Sequence, residues 1–170
     1  MLKKTPLLLI VVAILITIGL AVYYYPQLPD RIASHFGMDG KPNGWMNKPG
    51  FIGTMLGLQI GMAIFMWALT RVIRKMPISM VNIPHREYWL HEDRADETLA
   101  WLGGNLNWVN AATCFFLTLI FQTTIEANLT EKVELSSPVL YIVLGLYFFV
   151  ISIFVAKILL RFRKIPATVD

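Results

Sequence analysis

The stretch Thr5 to Pro29, TPLLLIVVAILITIGLAVYYYPQLP, contains no acidic, basic or histidine residue. At a rise of about 1.5 Å per residue, such a run is long enough to cross a hydrocarbon core of about 30 Å as a helix. It is longer than the apolar region of a secretory signal, about 7 to 15 residues, and Tyr23-Tyr24-Tyr25-Pro26 offers no small-x-small cleavage site. The reading is an uncleaved first membrane helix, preceded by Lys3 and Lys4, with its tyrosines anchored at the outer interface.

Three more charge-free runs follow, Pro49 to Thr70, Thr98 to Ile125 and Leu135 to Ala156, and the four together hold more than half of the 170 residues. The chain is 56% hydrophobic and 15% charged, with a mean hydropathy of +0.57. Soluble domains carry about 25% charged residues, so the bilayer is the better solvent for this chain. A soluble enzyme is excluded, as are collagen-like, disulfide-rich and disordered chains. The expected fold class is an all-α integral membrane protein with four transmembrane helices and a compact extracytoplasmic loop between the first two. As one membrane domain over 1–170, it reads as TM1 about 6–25, external loop 26–49, TM2 about 51–71 and cytoplasmic loop 72–92. A helix over about 93–125 then includes TM3, its spanning part Leu106 to Ile125, followed by an external loop 126–136, TM4 about 138–160 and a cytoplasmic tail 161–170.

The net charge of +4 does not point to nucleic acid, because the bases cluster at helix ends and not in an aromatic-interleaved patch. They report orientation. With four spans both termini share a side, and that side carries Lys3, Lys4, Arg71, Arg74, Lys75, Arg86, Arg94, Lys157, Arg161, Arg163 and Lys164. The other side has Arg31, Lys41, Lys48 and Lys132. The positive-inside rule therefore places both termini and the middle loop in the cytoplasm.

Within the spans, Gly53, Gly57 and Gly61 form two overlapping GxxxG steps on one helix face. Such a stripe lets a second backbone approach closely; a helix of the same chain is the preferred partner, and a homodimer seam is the alternative. Gln59 lies off that face and is expected to make an interhelical hydrogen bond. Cys114 is the single cysteine, so no intramolecular disulfide is possible, and in its apolar run it reads as a packing thiol. Gly103-Gly104 is a candidate bend after the polar opening of the third run. Ser137 reads as the N-cap of the fourth helix with Pro138 first inside it, and Lys157 and Arg161 at its far end are expected to snorkel to the headgroups. No ionisable residue lies near the centre of a span, which argues against a proton relay, a small multidrug carrier or a voltage sensor.

Recognition is then left to the loops. In the first, Asp39-Gly40 and Pro42-Asn43-Gly44 are turn signals, and Ile32 to Phe36 is expected to pair with Gly44 to Met46 as a short hairpin. Its ligand-binding candidates are Asp30, Arg31, His35, Phe36, Asp39 and Trp45. His35 between two aspartates permits a metal reading, but no second histidine is near, so a hydrogen bond from His35 to the loop backbone is preferred. Asp30-Arg31 reads as a cap or local ion pair. The middle loop offers Asn82, Pro84, His85, Glu87, Tyr88 and Trp89 as candidates for a cytoplasmic partner, with Val81, Ile83, Tyr88, Trp89 and Leu90 suited to lying at the inner headgroups and Pro84 blocking a helix through that point. His85, Glu87 and His91 lack the HExxH spacing, so no metal or cofactor is expected there. Asn128-Leu129-Thr130 matches the N-glycosylation pattern and reads as accidental. Neither GxSxG, P-loop, GxGxxG nor HExxH occurs, and no enzymatic activity is expected.

The stretch LPDRIASHFGMDGKPNGWMNK, Leu28 to Lys48, resembles the signature of a widespread bacterial membrane domain of unknown function, found also at the N-terminus of SdpI-type immunity proteins. Leu28, Pro29, Ile32, His35, Phe36, Gly40, Gly44 and Trp45 carry the resemblance, and Asn82 to Leu90 resembles a second motif of many members. The resemblance implies a polytopic protein of the bacterial inner membrane related to toxin immunity and membrane signalling, with no catalytic residues. The chain departs from SdpI itself by ending after four helices. The expected function is sensing or binding of an external peptide or lipid through the first loop, with the lipid bilayer, a cytoplasmic regulator and a second copy as further partners. The alternatives are an accessory subunit of a membrane complex and, more weakly, a small transporter.

Overall fold

The computed structural model describes residues 4–37 and 39–165; Lys3, Met38 and the tail after Ile165, which enter the readings above, lie outside the described residues. Among the described residues, five α-helices, one hairpin and a short 3-10 turn make up the order α1 (Lys4–Tyr24), β1 (Arg31–Phe36), β2 (Pro42–Asn47), α2 (Lys48–Lys75), the 3-10 turn (Ile78–Met80), α3 (Arg86–Trp89), α4 (Ala95–Leu129) and α5 (Ser137–Phe162). α1, α2, α4 and α5 are each long and apolar enough to cross a membrane.

The helix ends follow from local chemistry. The Asn47 side chain accepts the N–H of Gly50 at 2.7 Å and caps α2, with Pro49 in the first turn. Arg74 and Lys75 occupy its last turn, where cations complement the exposed carbonyls, and Pro77 lies two residues beyond. Asp96 and Glu97 sit in the first turn of α4, the matching arrangement at an N-terminus. α5 begins one residue earlier than expected: Ser136 holds the cap position, its side chain makes no capping bond, and Ser137 is already helical.

α4 is the axis of the fold, packing against α1, α2, α5 and β1. It is continuously helical through Gly103-Gly104. Gly103 serves packing: a Cβ built on it would lie 3.6 Å from the Thr70 carbonyl of α2. Three buried clusters line the bundle. Ala21, Leu28, Ile32, Phe51, Phe121 and Ile125 fill the end that carries the hairpin. Ile10, Ala13, Ala63, Ala111 and Cys114 fill the middle, and Val81, Leu90 and Leu99 close the opposite end.

Polar side chains tie the middle together. Gln59 donates to the Cys114 carbonyl and to Thr118 Oγ1, both at 3.0 Å, as its position off the glycine face suggested. Thr118 in turn meets Thr17 Oγ1 at 2.9 Å, and Asn110 donates to the Ala63 carbonyl at 3.0 Å. Away from water these bonds lock the relative depth of α1, α2 and α4. Gly53, Gly57 and Gly61 take no part. All three are exposed, with nothing within 4 Å of a Cβ built on them. The expected intramolecular glycine seam is therefore corrected: Ala63, Gly103, Ala111 and Cys114 supply the close approach, and the glycine stripe of α2 faces outward.

Candidate functional site

The loop between α1 and α2 is an antiparallel hairpin in which Arg31 pairs with Asn47, Ile32 with Met46, Ala33 with Trp45, His35 with Gly44 and Phe36 with Pro42. The expected pairing holds, with irregularities on either side of His35. Gly44 is required opposite His35, since a Cβ there would come within 2.9 Å of His35 Cβ. At the tip Gly40 has φ +77°, a conformation that favours glycine. Its carbonyl accepts the N–H of Leu135 at 2.9 Å, so the tip rests on the connection between α4 and α5.

Two residues outside the expected set hold the hairpin down. Asn128 near the end of α4 accepts the Ala33 N–H at 2.7 Å and donates to the Ala33 carbonyl at 2.9 Å, replacing the partner that an edge strand lacks. Its amide is buried, and both its oxygen and its nitrogen are engaged in hydrogen bonds within the fold. Lys48 donates to the Leu28 carbonyl at 2.8 Å and the Tyr25 carbonyl at 3.3 Å, fastening the base of the hairpin to the end of α1. A signal for Lys48 was present in its place at the start of α2, but nothing local marks Asn128 as the partner of a residue so distant in the chain.

The clamped hairpin turns Ile32 and Ala33 inward and leaves Arg31, His35 and Trp45 exposed. The Arg31 guanidinium lies 5.6 Å from the centre of the Trp45 ring. The expected Asp30-Arg31 pair does not form; fully exposed Asp30 faces Lys48 at 3.6 Å, a contact of little energetic weight. His35 Nδ1 meets the side chain of Asn43 at 2.6 Å and not the loop backbone, the second correction in this loop. Asp39 caps its own turn, accepting the Lys41 N–H at 3.1 Å. Phe36 is half-buried at the end of β1. Arg31 and Trp45 thus form one cationic and aromatic surface, with His35 on the paired strands beside it, while Asp30 and Asp39 sit at the base and tip.

The opposite end presents a cleft of about 620 Å³ lined by Ile78, His85, Arg86, Glu87, Tyr88 and Ile165, among others. Pro84 does end the preceding segment, and His85 turns the chain with φ 51° before the single turn of α3. The His85 ring nitrogen Nε2 lies 3.1 Å from the Arg163 carbonyl, joining this loop to the end of α5. Asn82, Pro84, His85 and Glu87 are exposed and Tyr88 is half-buried, but Trp89 is buried against Phe162, its ring centre 5.4 Å away. Val81 and Leu90 are buried as well, so three of the five apolar residues expected at the headgroups, Val81, Trp89 and Leu90, pack inside the protein, while Ile83 and Tyr88 are half-buried. His91 pairs with Asp93 at 3.1 Å, away from His85. Among the described residues no three histidine, cysteine or acidic side chains converge as metal ligands.

Residues 12–60 match the family model described as Domain of unknown function (DUF1648). The matched stretch covers most of α1, the hairpin and the first part of α2, less than a third of the chain. It contains every exposed side chain of the hairpin surface and Lys48, but not Asn128. No curated protein and no solved structure matches the chain.

Proposed function

We propose that this chain is a non-enzymatic multi-pass protein of the bacterial inner membrane, similar to SdpI-type immunity and signalling proteins, that binds an external peptide or lipid through its hairpin. In this reading the hairpin faces outward and both termini, with the loop around α3, face the cytoplasm. The observation that carries it is the bidentate Asn128–Ala33 clamp. It ties an exposed surface of Arg31, His35 and Trp45 to a single helix that continues to the other end of the molecule. At 35 residues α4 is about 52 Å long. A ligand that prefers one seating of the hairpin over another therefore biases the position of α4, and with it the loop around Tyr88. The signal runs through α4 rather than through the glycine stripe of α2, which has nothing within 4 Å of a built Cβ among the described residues.

The test is survival of cells exposed to a panel of membrane-active peptides, comparing the protein with a His35→Ala, Trp45→Ala double variant at equal membrane abundance. Protection that needs the two side chains supports the reading; equal protection, or none from either form, removes it. One observation favours a second reading as an accessory subunit or homodimer, namely the uncovered stripe Gly53, Gly57 and Gly61. Crosslinking in native membranes through a Leu58→Cys variant would capture the neighbour, and a bare α2 face would count against this reading.

A further inference from the structure

α5 meets the rest of the bundle chiefly along α4, and the seam between them is incompletely filled. Ala112, Phe116 and Leu119 of α4 face Leu146, Tyr147 and Val150 of α5 across an apolar groove of about 170 Å³. Positions 146, 150, 157 and 161 are separated by four, seven and four residues, so Lys157 and Arg161 continue the same helical row. On α4, Trp101 and Asn105 continue the row of Ala112, Phe116 and Leu119 by the same periodicity. Groove and cations therefore belong to one seam. Val150 and Arg161 are about 16 Å apart along α5, roughly the depth of one leaflet.

The charged end of this seam is electrostatically incomplete. The Arg161 guanidinium lies 4.3 Å from the centre of the Trp101 ring and 5.2 Å from that of Trp89, and Lys157 Nζ lies 5.8 Å from Trp101. Both cations thus lie over aromatic faces at the same end of the bundle. Neither cation pairs with an acidic side chain among the described residues. Arg161 Nε and Trp89 Nε1 are buried donors without an acceptor, and Trp89 is only 7% exposed. Asn105, 4% exposed, uses its Nδ2 on the Trp101 carbonyl at 2.8 Å and leaves Oδ1 without a donor. Buried donors without partners are costly, most of all on a charged group, and aromatic faces alone do not supply the missing hydrogen bond.

We infer that the α4–α5 seam binds one anionic phospholipid. Its phosphodiester sits against Arg161 and Lys157 beside Trp89 and Trp101, and one acyl chain occupies the groove toward Val150. Two cations without carboxylates select a lipid of net negative charge over a zwitterionic one. This site is separate from the hairpin and stands whether or not the hairpin binds a ligand.

The experiment is native mass spectrometry of the full chain in detergent, titrated with phosphatidylglycerol and, separately, with phosphatidylcholine. One phosphatidylglycerol per chain is expected at an affinity at least ten-fold above that for phosphatidylcholine. The Lys157→Gln, Arg161→Gln double variant should weaken it at least ten-fold. Lys157 is exposed, so Lys157→Gln alone keeps the fold and should weaken binding several-fold. Val150→Trp, which fills the groove without touching charge, should weaken it as well. Equal affinity for the two lipids would overturn the proposal, as would unchanged binding in both Lys157→Gln and Val150→Trp. Displacement of the lipid by glycerol 3-phosphate at matched concentration would also overturn it, because the groove would then contribute nothing.

Discussion

The side-chain amide of Asn128 hydrogen-bonds both main-chain groups of Ala33, a residue 95 positions earlier, at 2.7 and 2.9 Å. The outer edge of a strand presents unpaired N–H and C=O groups, and a lone two-stranded hairpin is marginal in water. Here one asparagine supplies the edge partner, while Ile32 inserts into the cluster around Phe51 and Phe121. The hairpin is thereby an extension of α4 rather than a free loop.

Asn128→Ala should loosen the hairpin and lower stability by about 2 to 4 kcal/mol, since a donor and an acceptor that are buried with Ala33 would each lose a partner. Asn128→Asp keeps the acceptor but brings a buried carboxylate against the Ala33 and Thr124 carbonyls, and should cost at least as much as Asn128→Ala. Thermal unfolding in nanodiscs, with proteolysis near Lys41 as a local readout, checks both. Wild-type behaviour of Asn128→Ala would show that the clamp contributes nothing.

The two kinds of glycine should respond oppositely to alanine. Gly40→Ala forces a Cβ to 2.7 Å from the Leu135 carbonyl at φ +77°, and a loss of about 1 to 3 kcal/mol is expected. Gly57→Ala meets nothing within 4 Å, so helix propensity alone acts, neutral to about 1 kcal/mol stabilising. Destabilisation by Gly57→Ala that grows with protein concentration would instead reveal a second copy seated on that stripe.

Phe51 and Phe121 stack with ring centres 5.6 Å apart and are both almost wholly buried. Phe121→Ala should cost about 3 to 5 kcal/mol. Leu159→Ala, at a side chain 62% exposed on α5, should change stability by well under half of that. Comparable losses in the two variants would contradict the assignment of the core to α1, α2, α4 and the hairpin.

Orientation is checked by labelling intact cells with a membrane-impermeant maleimide in a Cys114→Ala background. Asp39→Cys at the hairpin tip should react and Glu92→Cys beside α3 should not, until the membrane is opened. The reverse pattern would invert the topology. Native Cys114, wholly buried against α1 and α2, should stay unlabelled until the protein is denatured.

The four long helices were legible because apolar length is a local property: each run declares itself without reference to any other residue. The hairpin was legible for a related reason, since Asp39-Gly40 and Asn43-Gly44 are turn chemistry flanked by short extended segments. Partnership was not. Gly53, Gly57 and Gly61 read as the packing face by motif, yet the face α2 turns to α4 holds Gln59, Ala63 and Thr70, chosen by where α4 presents Cys114, Asn110 and Gly103. Trp89 read as an interfacial anchor and is instead buried on Phe162, a residue that enters only when α5 returns to the same end.

The sequence by itself determined that four helices are long and apolar enough to cross a membrane, and that a turn-rich loop lies between the first two. Those are consequences of transfer free energy and backbone chemistry, read from neighbours along the chain. Only the tertiary structure decided that this loop is clamped to α4 by Asn128, that the glycine stripe is left open, and that Arg161 lies against two tryptophans. Each of these joins residues far apart in sequence, and in an apolar bundle many pairings of similar helices bury similar area. A few buried amides and hydroxyls, which must find partners where water is absent, select one of them.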